Sequence, residues 1–198
     1  MLDNRLLDKK VIIFDIGNVL LKFDPNHLAN ELFPSVSRDQ LFEGVFKSGL
    51  WPLIDTGLVS TGRLATLMQE ASHSTSPADY RAITNLLDYF YDYLIPLPAL
   101  EWLPLLKKMG KKIYYLTNFS SPQFDRGFTK YDLFQYFDGG VVSSHENVSK
   151  PARRIFDILT DRYGFSPSDA IFIDDSSANI QTAKELGFST WHYTDYIL

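Results

Sequence analysis

The run Val11-Ile12-Ile13-Phe14-Asp15 constrains this chain more than any other stretch: four apolar residues lead straight into one carboxylate. An apolar run this short, closed by turn formers (here Gly17 and Asn18), reads as a strand buried on both faces, as in a parallel sheet. The same grammar returns downstream. Lys112–Leu116 runs into Thr117-Asn118, Gly140–Val142 into Ser143, and Ala170–Ile173 into Asp174-Asp175; Ser189–His192 supplies a short fifth strand. Helical patterns separate these later runs, and alternation of strand and helix predicts an α/β fold built on a doubly wound parallel sheet of about five strands. Such sheets place ligands outside the carboxyl ends of their strands. Asp15, Thr117-Asn118 and Asp174-Asp175 therefore converge on one edge, and Lys150 opens a helix there.

Residues 26–96 break the alternation. Ser37-Arg38-Asp39-Gln40 has capping-box spacing, and Leu41, Phe42, Val45 and Phe46 follow at helical intervals. Leu64, Leu67 and Met68 mark a second helix. Ser76-Pro77-Ala78-Asp79 starts a third, expected to run to about Tyr93. No strand pattern is visible, so the stretch reads as an all-helical insertion. A helix over 98–109 then returns the chain to the sheet, with Pro104 expected to kink it. Ser120 or Ser121 caps a short helix, Lys150-Pro151 opens one to about Tyr163, and Ser176 or Ser177 caps one to Gly187.

Bulk chemistry narrows the function. A net charge of −5 argues against nucleic-acid and anionic membrane surfaces, and no Lys/Arg block exceeds a pair. The absence of cysteine excludes disulfides, thiolate metal sites and a Cys nucleophile. The most apolar long stretch, residues 87–106, carries Asp88, Asp92, Glu101 and three prolines, which does not suit a membrane span. The first ten residues are too polar for a signal peptide, so a cytoplasmic protein is expected.

Taken singly, Asp15 could cap a loop, Thr117 a helix, and Lys150 could be an ordinary surface lysine. Their placement at successive strand ends carries the chemistry. Three carboxylates on one edge repel one another unless a cation sits among them, and hard oxygen ligands suit Mg²⁺ with a substrate phosphate. A lysine, a threonine hydroxyl and the backbone N–H groups after Thr117 can bind phosphoryl oxygens. A carboxylate facing that group can accept it as an aspartyl phosphate, which water hydrolyses.

The spellings FDIGNVL, WPLIDTGLVS, LTNFS, SKP and FIDDSSANIQTAKELG resemble the haloacid dehalogenase superfamily, nearest its sugar-1-phosphate phosphatase-like branch, over about residues 10–192. The resemblance implies a Rossmann-like core from residues 1–21 and 97–198 and a small all-helical cap from 22–96. It makes Asp15 the nucleophile. Asp15, Asp175 and the backbone carbonyl of Gly17 would hold Mg²⁺, with Asp174 direct or through water. Thr117, the Asn118 N–H and Lys150 would bind the phosphate. The implied activity is Mg²⁺-dependent hydrolysis of a small phosphorylated metabolite, a sugar phosphate first, by a monomer or homodimer with no nucleic-acid or membrane partner. Metal-free dehalogenation and phosphate binding without turnover are the alternatives.

One departure matters. The superfamily's phosphatases usually carry an acid–base Asp two residues after the nucleophile, and here that residue is Gly17. General acid–base help is typically worth about 10²–10⁴-fold. Either the leaving group departs with little protonation, as from an anomeric sugar phosphate (the favoured reading), or a cap residue or water moves the proton, or the protein is weakly active. Asn147 stands where Gly is common but tolerates a left-handed turn. Ala152 replaces an Asp common after the Lys-Pro pair, which weakens that helix start. His145 reads as a surface loop residue. The cap aromatics Phe33, Phe42, Phe46, Trp51, Tyr80, Tyr89 and Tyr91 read mainly as packing core, and Asp55, Thr56 and Arg63 are within possible reach of substrate.

Overall fold

A computed structural model describes residues 3–127 and 132–194. Seven strands run among them in chain order: β1 (Val11–Phe14), β2 (Leu21–Lys22), β3 (Ile95–Pro96), β4 (Lys112–Thr117), β5 (Gly139–Val142), β6 (Ala170–Asp174) and β7 (Ser189–His192). Five of them form one parallel sheet in the order β5-β4-β1-β6-β7. β1 is central and its four residues are all buried, as the unbroken apolar run predicts. Residues alternate between two packed layers. Ile12, Phe14, Ile113 and Ile173 join the cluster that continues into the helical insertion. Val11, Ile13, Leu116 and Phe172 join the cluster under helices Arg153–Tyr163 and Ser177–Glu185. Each such buried side chain contributes about 1.5–3 kcal/mol relative to exposure.

Register sets the functional edge. Phe14 pairs with Tyr115 on one side and Ile173 on the other, and Leu116 and Thr117 pair with Val141 and Val142. The strands therefore end nearly level. The Asp15 N–H still donates to the Ile173 carbonyl at 2.8 Å, so Asp15 leaves the sheet beside Asp174.

Between β2 and β3 the chain is helical, with α-helices Pro25–Leu32, Arg38–Phe42, Thr61–Ala71 and Pro77–Tyr89 joined by tighter or wider turns at Glu43–Lys47, Trp51–Thr56 and Phe90–Tyr93. The expectation of no strand over residues 26–96 needs correction at its far end, where Ile95–Pro96 is a strand. β2 and β3 pair antiparallel, Leu21 with Pro96 and Lys22 with Ile95, and tie the two ends of the excursion together. Two-residue strands carry no readable alternation, and Pro96 is compatible with such an edge.

Local signals fared unevenly for identifiable reasons. Ser76 caps the N–H groups of Ala78 and Asp79 as expected, but the α-helix ends at Tyr89 and the last turn tightens to 3₁₀. The Ser37–Gln40 capping box does not form. The Ser37 hydroxyl donates to Asp79 at 2.7 Å and the Gln40 amide to the Ser72 carbonyl at 2.5 Å, so both side chains bridge neighbouring helices instead. Pro104 does not kink a long helix, because residues 98–101 are 3₁₀ and Pro104 lies in the first turn of Trp102–Lys108, where no helical N–H is needed. Asn147 takes φ +52°, the left-handed turn expected of it. The helix after Lys150 starts later than expected, at Arg153, with Ala152 offering no capping side chain. Likewise Ser176 makes no side-chain cap; its N–H is held by Asp174.

Candidate active site

Asp15 follows β1 and is 8% exposed. Its Oδ1 accepts from the Ile16 N–H at 2.7 Å, and its Oδ2 lies 2.9 Å from the Lys150 ammonium. The same ammonium donates to Asp174 Oδ2 at 2.7 Å. Asp174 is fully buried at the end of β6 and spends both oxygens: Oδ1 accepts from the Ser176 N–H and the Asn179 amide, Oδ2 from Lys150 and Asn179. Asp175, next along, is partly buried and accepts from the Asn18 amide at 3.0 Å.

Lys150 reaches this point because its backbone is clamped. The Asn118 side chain accepts from the Lys150 N–H at 2.8 Å and donates to the Lys150 carbonyl at 3.0 Å. The Asn118 side chain thus positions Lys150, a task that strand-end logic did not assign to it. Asn18 is a second residue the sequence reading passed over. With φ +54° it bonds Asp175 through its amide and the Phe23 N–H through its carbonyl. An Asn in the turn directly after the first strand was the signal available.

Charge follows from burial. Desolvation pushes the Asp15 carboxyl up, and Lys150 opposes the shift. For Lys150, burial works to lower the pKa, but Asp15 and Asp174 overcome it and hold the ammonium charged. Desolvation also raises Asp175, against its bond to Asn18. Oxygens of Asp15, Asp174 and Asp175 all lie within 4.8 Å of one another. Three carboxylates cluster where one ammonium pairs with two of them, and this surplus of hard, negative oxygens fits a divalent cation.

A cavity of about 200 Å³ opens over the cluster. Asp15, Gly17, Asn118 and Asp175 line it, whereas Thr117, Lys150 and Asp174 are buried and do not. Phe23, Trp51 and Phe90 form an aromatic wall, with the Trp51 ring 5.0 Å from Phe23 and 5.5 Å from Phe90. Phe42 and Phe46 pack together at 5.3 Å behind this wall, with Phe46 5.3 Å from Trp51, and do not line the cavity, as expected of core. Asp55 also lines the cavity. Thr56 is spent on its own turn, bonded to Leu53 and Leu58, and Arg63 is exposed on the surface. His145 lies 3.5 Å from Asp125 and does not line the cavity.

A family model described as haloacid dehalogenase-like hydrolase matches residues 9–187. The chain belongs to that family. This HAD-like hydrolase is 24% identical over 190 residues to D-ribitol-5-phosphate phosphatase of Bacteroides thetaiotaomicron, covering 92% of this chain and 90% of the relative. A HAD-family enzyme from the same organism, solved in complex with magnesium and inorganic phosphate, superposes with TM-score 0.72 at 24% identity, covering 92% of this chain and 93% of that one. L-2-haloacid dehalogenase from Xanthobacter autotrophicus superposes with TM-score 0.64 at 18% identity over 92% and 76% of the two chains. The HAD-like hydrolase thus shares its fold with a magnesium- and phosphate-bound HAD-family enzyme and with a haloacid dehalogenase. No helix among its described residues is long and apolar enough to cross a membrane.

Proposed function

We propose that this hydrolase is a Mg²⁺-dependent phosphatase of small phosphorylated metabolites, with Asp15 as the nucleophile. The observation that carries the proposal is the placement of Asp15 on the cavity wall, held by Lys150 and flanked by the Asp174-Asp175 pair. Lys150 orients one Asp15 oxygen and offsets charge on incoming phosphoryl oxygens. Asn118 contributes its N–H to the phosphate and its side chain to the Lys150 backbone; Thr117, buried just behind the cavity wall, would reach the anion only with its hydroxyl turned toward it. Asp15 attacks phosphorus, the ester oxygen leaves, and water then cleaves the aspartyl phosphate. Asp15, Asp175 and the Gly17 carbonyl would hold Mg²⁺, with Asp174, both of whose oxygens are engaged, acting through water. When bound, the metal would offset the phosphate's charge and hold it against Asp15.

A sugar phosphate is the favoured substrate. The similarity to a ribitol-phosphate phosphatase supports it, and a cavity of about 200 Å³ suits a small metabolite. The excursion between β2 and β3 serves as the cap, supplying Trp51 and Phe90 to the wall. Metal-free dehalogenation would leave Asp175, which lines the cavity, without a cation to bind. The test is hydrolysis of p-nitrophenyl phosphate. Asp15→Asn is expected to abolish it, EDTA to abolish it, and Mg²⁺ to restore it; turnover that survives EDTA overturns the mechanism.

A further inference from the structure

Phosphoryl transfer to Asp15 needs a proton for the departing oxygen and a base for the incoming water, and Gly17 supplies neither. Position 17 is not closed to a side chain: a Cβ there meets nothing within 4 Å. The acidic residues lining the cavity are Asp15, Asp175 and Asp55. Asp15 is tied to Lys150 and Asp175 to Asn18. The Asp55 carboxyl has no hydrogen-bond or ion-pair partner among the described residues, and so is free to exchange a proton.

Its backbone, by contrast, is fixed to the sheet edge. The Ser143 hydroxyl, just after β5, donates to the Asp55 carbonyl at 2.5 Å and accepts from the Phe119 N–H at 3.0 Å. One hydroxyl therefore joins the Asp55 segment to the loop after β4, the loop that carries Asn118. Gly57, at φ +69°, lets the chain turn away where a Cβ would come within 2.9 Å of the Ser144 carbonyl. A flexible surface acid needs no such seating.

We infer that Asp55 is the proton-transferring residue of this hydrolase, entering the site from the inserted helical segment in place of a side chain at position 17. The inference rests on the phosphatase reading of the site. As the phosphorus–ester oxygen bond breaks and the bond to Asp15 forms, the Asp55 carboxylic acid gives its proton to the leaving oxygen. The resulting Asp55 carboxylate then takes a proton from the water that attacks phosphorus, and the bond to Asp15 breaks. The cycle ends with alcohol, phosphate and both side chains as they began.

The surroundings suit this role. Asp15 and Asp175 line the same cavity as Asp55, and Lys150 lies near enough to favour its ionised form. On the helices packed against its segment, His145 lies against Asp125, Glu146 pairs with Arg162, and Arg63 and Glu70 are exposed. Desolvation outweighs Lys150 and pushes the Asp55 carboxyl up to about 7, where an acid–base catalyst works best near neutral pH.

The experiment compares phenyl phosphate with 2,4-dinitrophenyl phosphate, whose leaving oxygen needs no proton, in the presence of Mg²⁺. Asp55→Asn is expected to lose roughly 10²–10⁴-fold in kcat/KM on phenyl phosphate and far less on the dinitrophenyl ester. It should release dinitrophenolate in a burst of one per chain, because water then lacks its base. Wild-type kcat/KM on phenyl phosphate should fall as pH rises through about 7, where Asp55 loses its proton, and the variant should lack that limb. Asp55→Glu should recover part of the rate, and Asp55→Asn should melt no lower than wild type at pH 8, having lost no partner. An Asp55→Asn protein that affects both esters equally, with no burst and an unchanged pH profile, overturns the inference. If wild type hydrolyses neither ester, or Asp15→Asn hydrolyses them as well as wild type does, the phosphatase reading itself fails and takes the inference with it.

Discussion

Lys150 is the side chain on which the electrostatics of the site depends. It is 4% exposed and touches both Asp15 and Asp174. Replacing it by Met keeps most of the volume and removes the charge, leaving two buried carboxylates without their cation. Breaking a buried pair in this way typically costs about 3–5 kcal/mol. Urea unfolding of Lys150→Met at pH 7.5 should show a loss of that order. The loss should shrink as pH falls, since protonation relieves the stranded carboxylates. In the native protein the Lys150 pKa is raised, so its stabilisation is complete below the ordinary lysine value and is lost only as pH climbs through the folded one. Asp138 gives the opposite sign. Partial burial works against it, but the Ile113 N–H and the ammonium groups of Lys107 and Lys112 hold its carboxyl down at about 2. Its stabilisation, about 2 kcal/mol, is present above pH 4 and disappears as pH falls toward 2. Asp138→Asn should remove that acid-limb dependence in thermal melts and leave hydrolysis near neutral pH unchanged.

Among the elements, the helical excursion is held by close approaches rather than by propensity. Gly44 lies so near Ser72, at the end of helix Thr61–Ala71, that an added Cβ would overlap its backbone and hydroxyl. Overpacking of this kind usually costs about 1–3 kcal/mol. Gly44→Ala should lower the urea midpoint accordingly while kcat on p-nitrophenyl phosphate is retained, because Gly44 does not line the cavity. The Ser37 and Gln40 side chains show why this region was hard to read in detail. Their spacing fits a capping box, but partners 42 and 32 residues away compete for the same groups and win. The pairing of β2 with β3 was invisible for a related reason: two residues pairing with two others some 74 positions apart leave no local pattern.

Over the whole molecule, the two halves of the proposed site come from different parts of the chain. The sheet edge supplies Asp15 and Asp175 to the cavity, with Lys150 and Asp174 buried behind them, and the inserted segment supplies Asp55 and Trp51. Ser143 is a joint between them. Ser143→Ala strands the Phe119 N–H and the Asp55 carbonyl, and an unsatisfied buried polar group costs about 1–3 kcal/mol. The variant should melt at a lower temperature and lose kcat on phenyl phosphate more than on 2,4-dinitrophenyl phosphate, since a misplaced Asp55 affects the substrate that needs its proton.

Sequence alone determined the parallel sheet, the strand ends that carry the acids, and the grouping of Asp15, Thr117, Lys150, Asp174 and Asp175 on one edge. Those follow from local chemistry: an unbroken apolar run can be satisfied only by burial on both faces, and parallel strands bring their carboxyl ends together. Tertiary structure decided what each side chain does there. It closed both oxygens of Asp174, turned the Asn118 side chain onto the Lys150 backbone, and brought Asn18 to Asp175. It also brought Asp55 to a cavity formed by residues 40 positions before it and 120 after it. Spacing along a chain says nothing about such a meeting, because only the packing of the helical excursion on the sheet edge sets the distance across it.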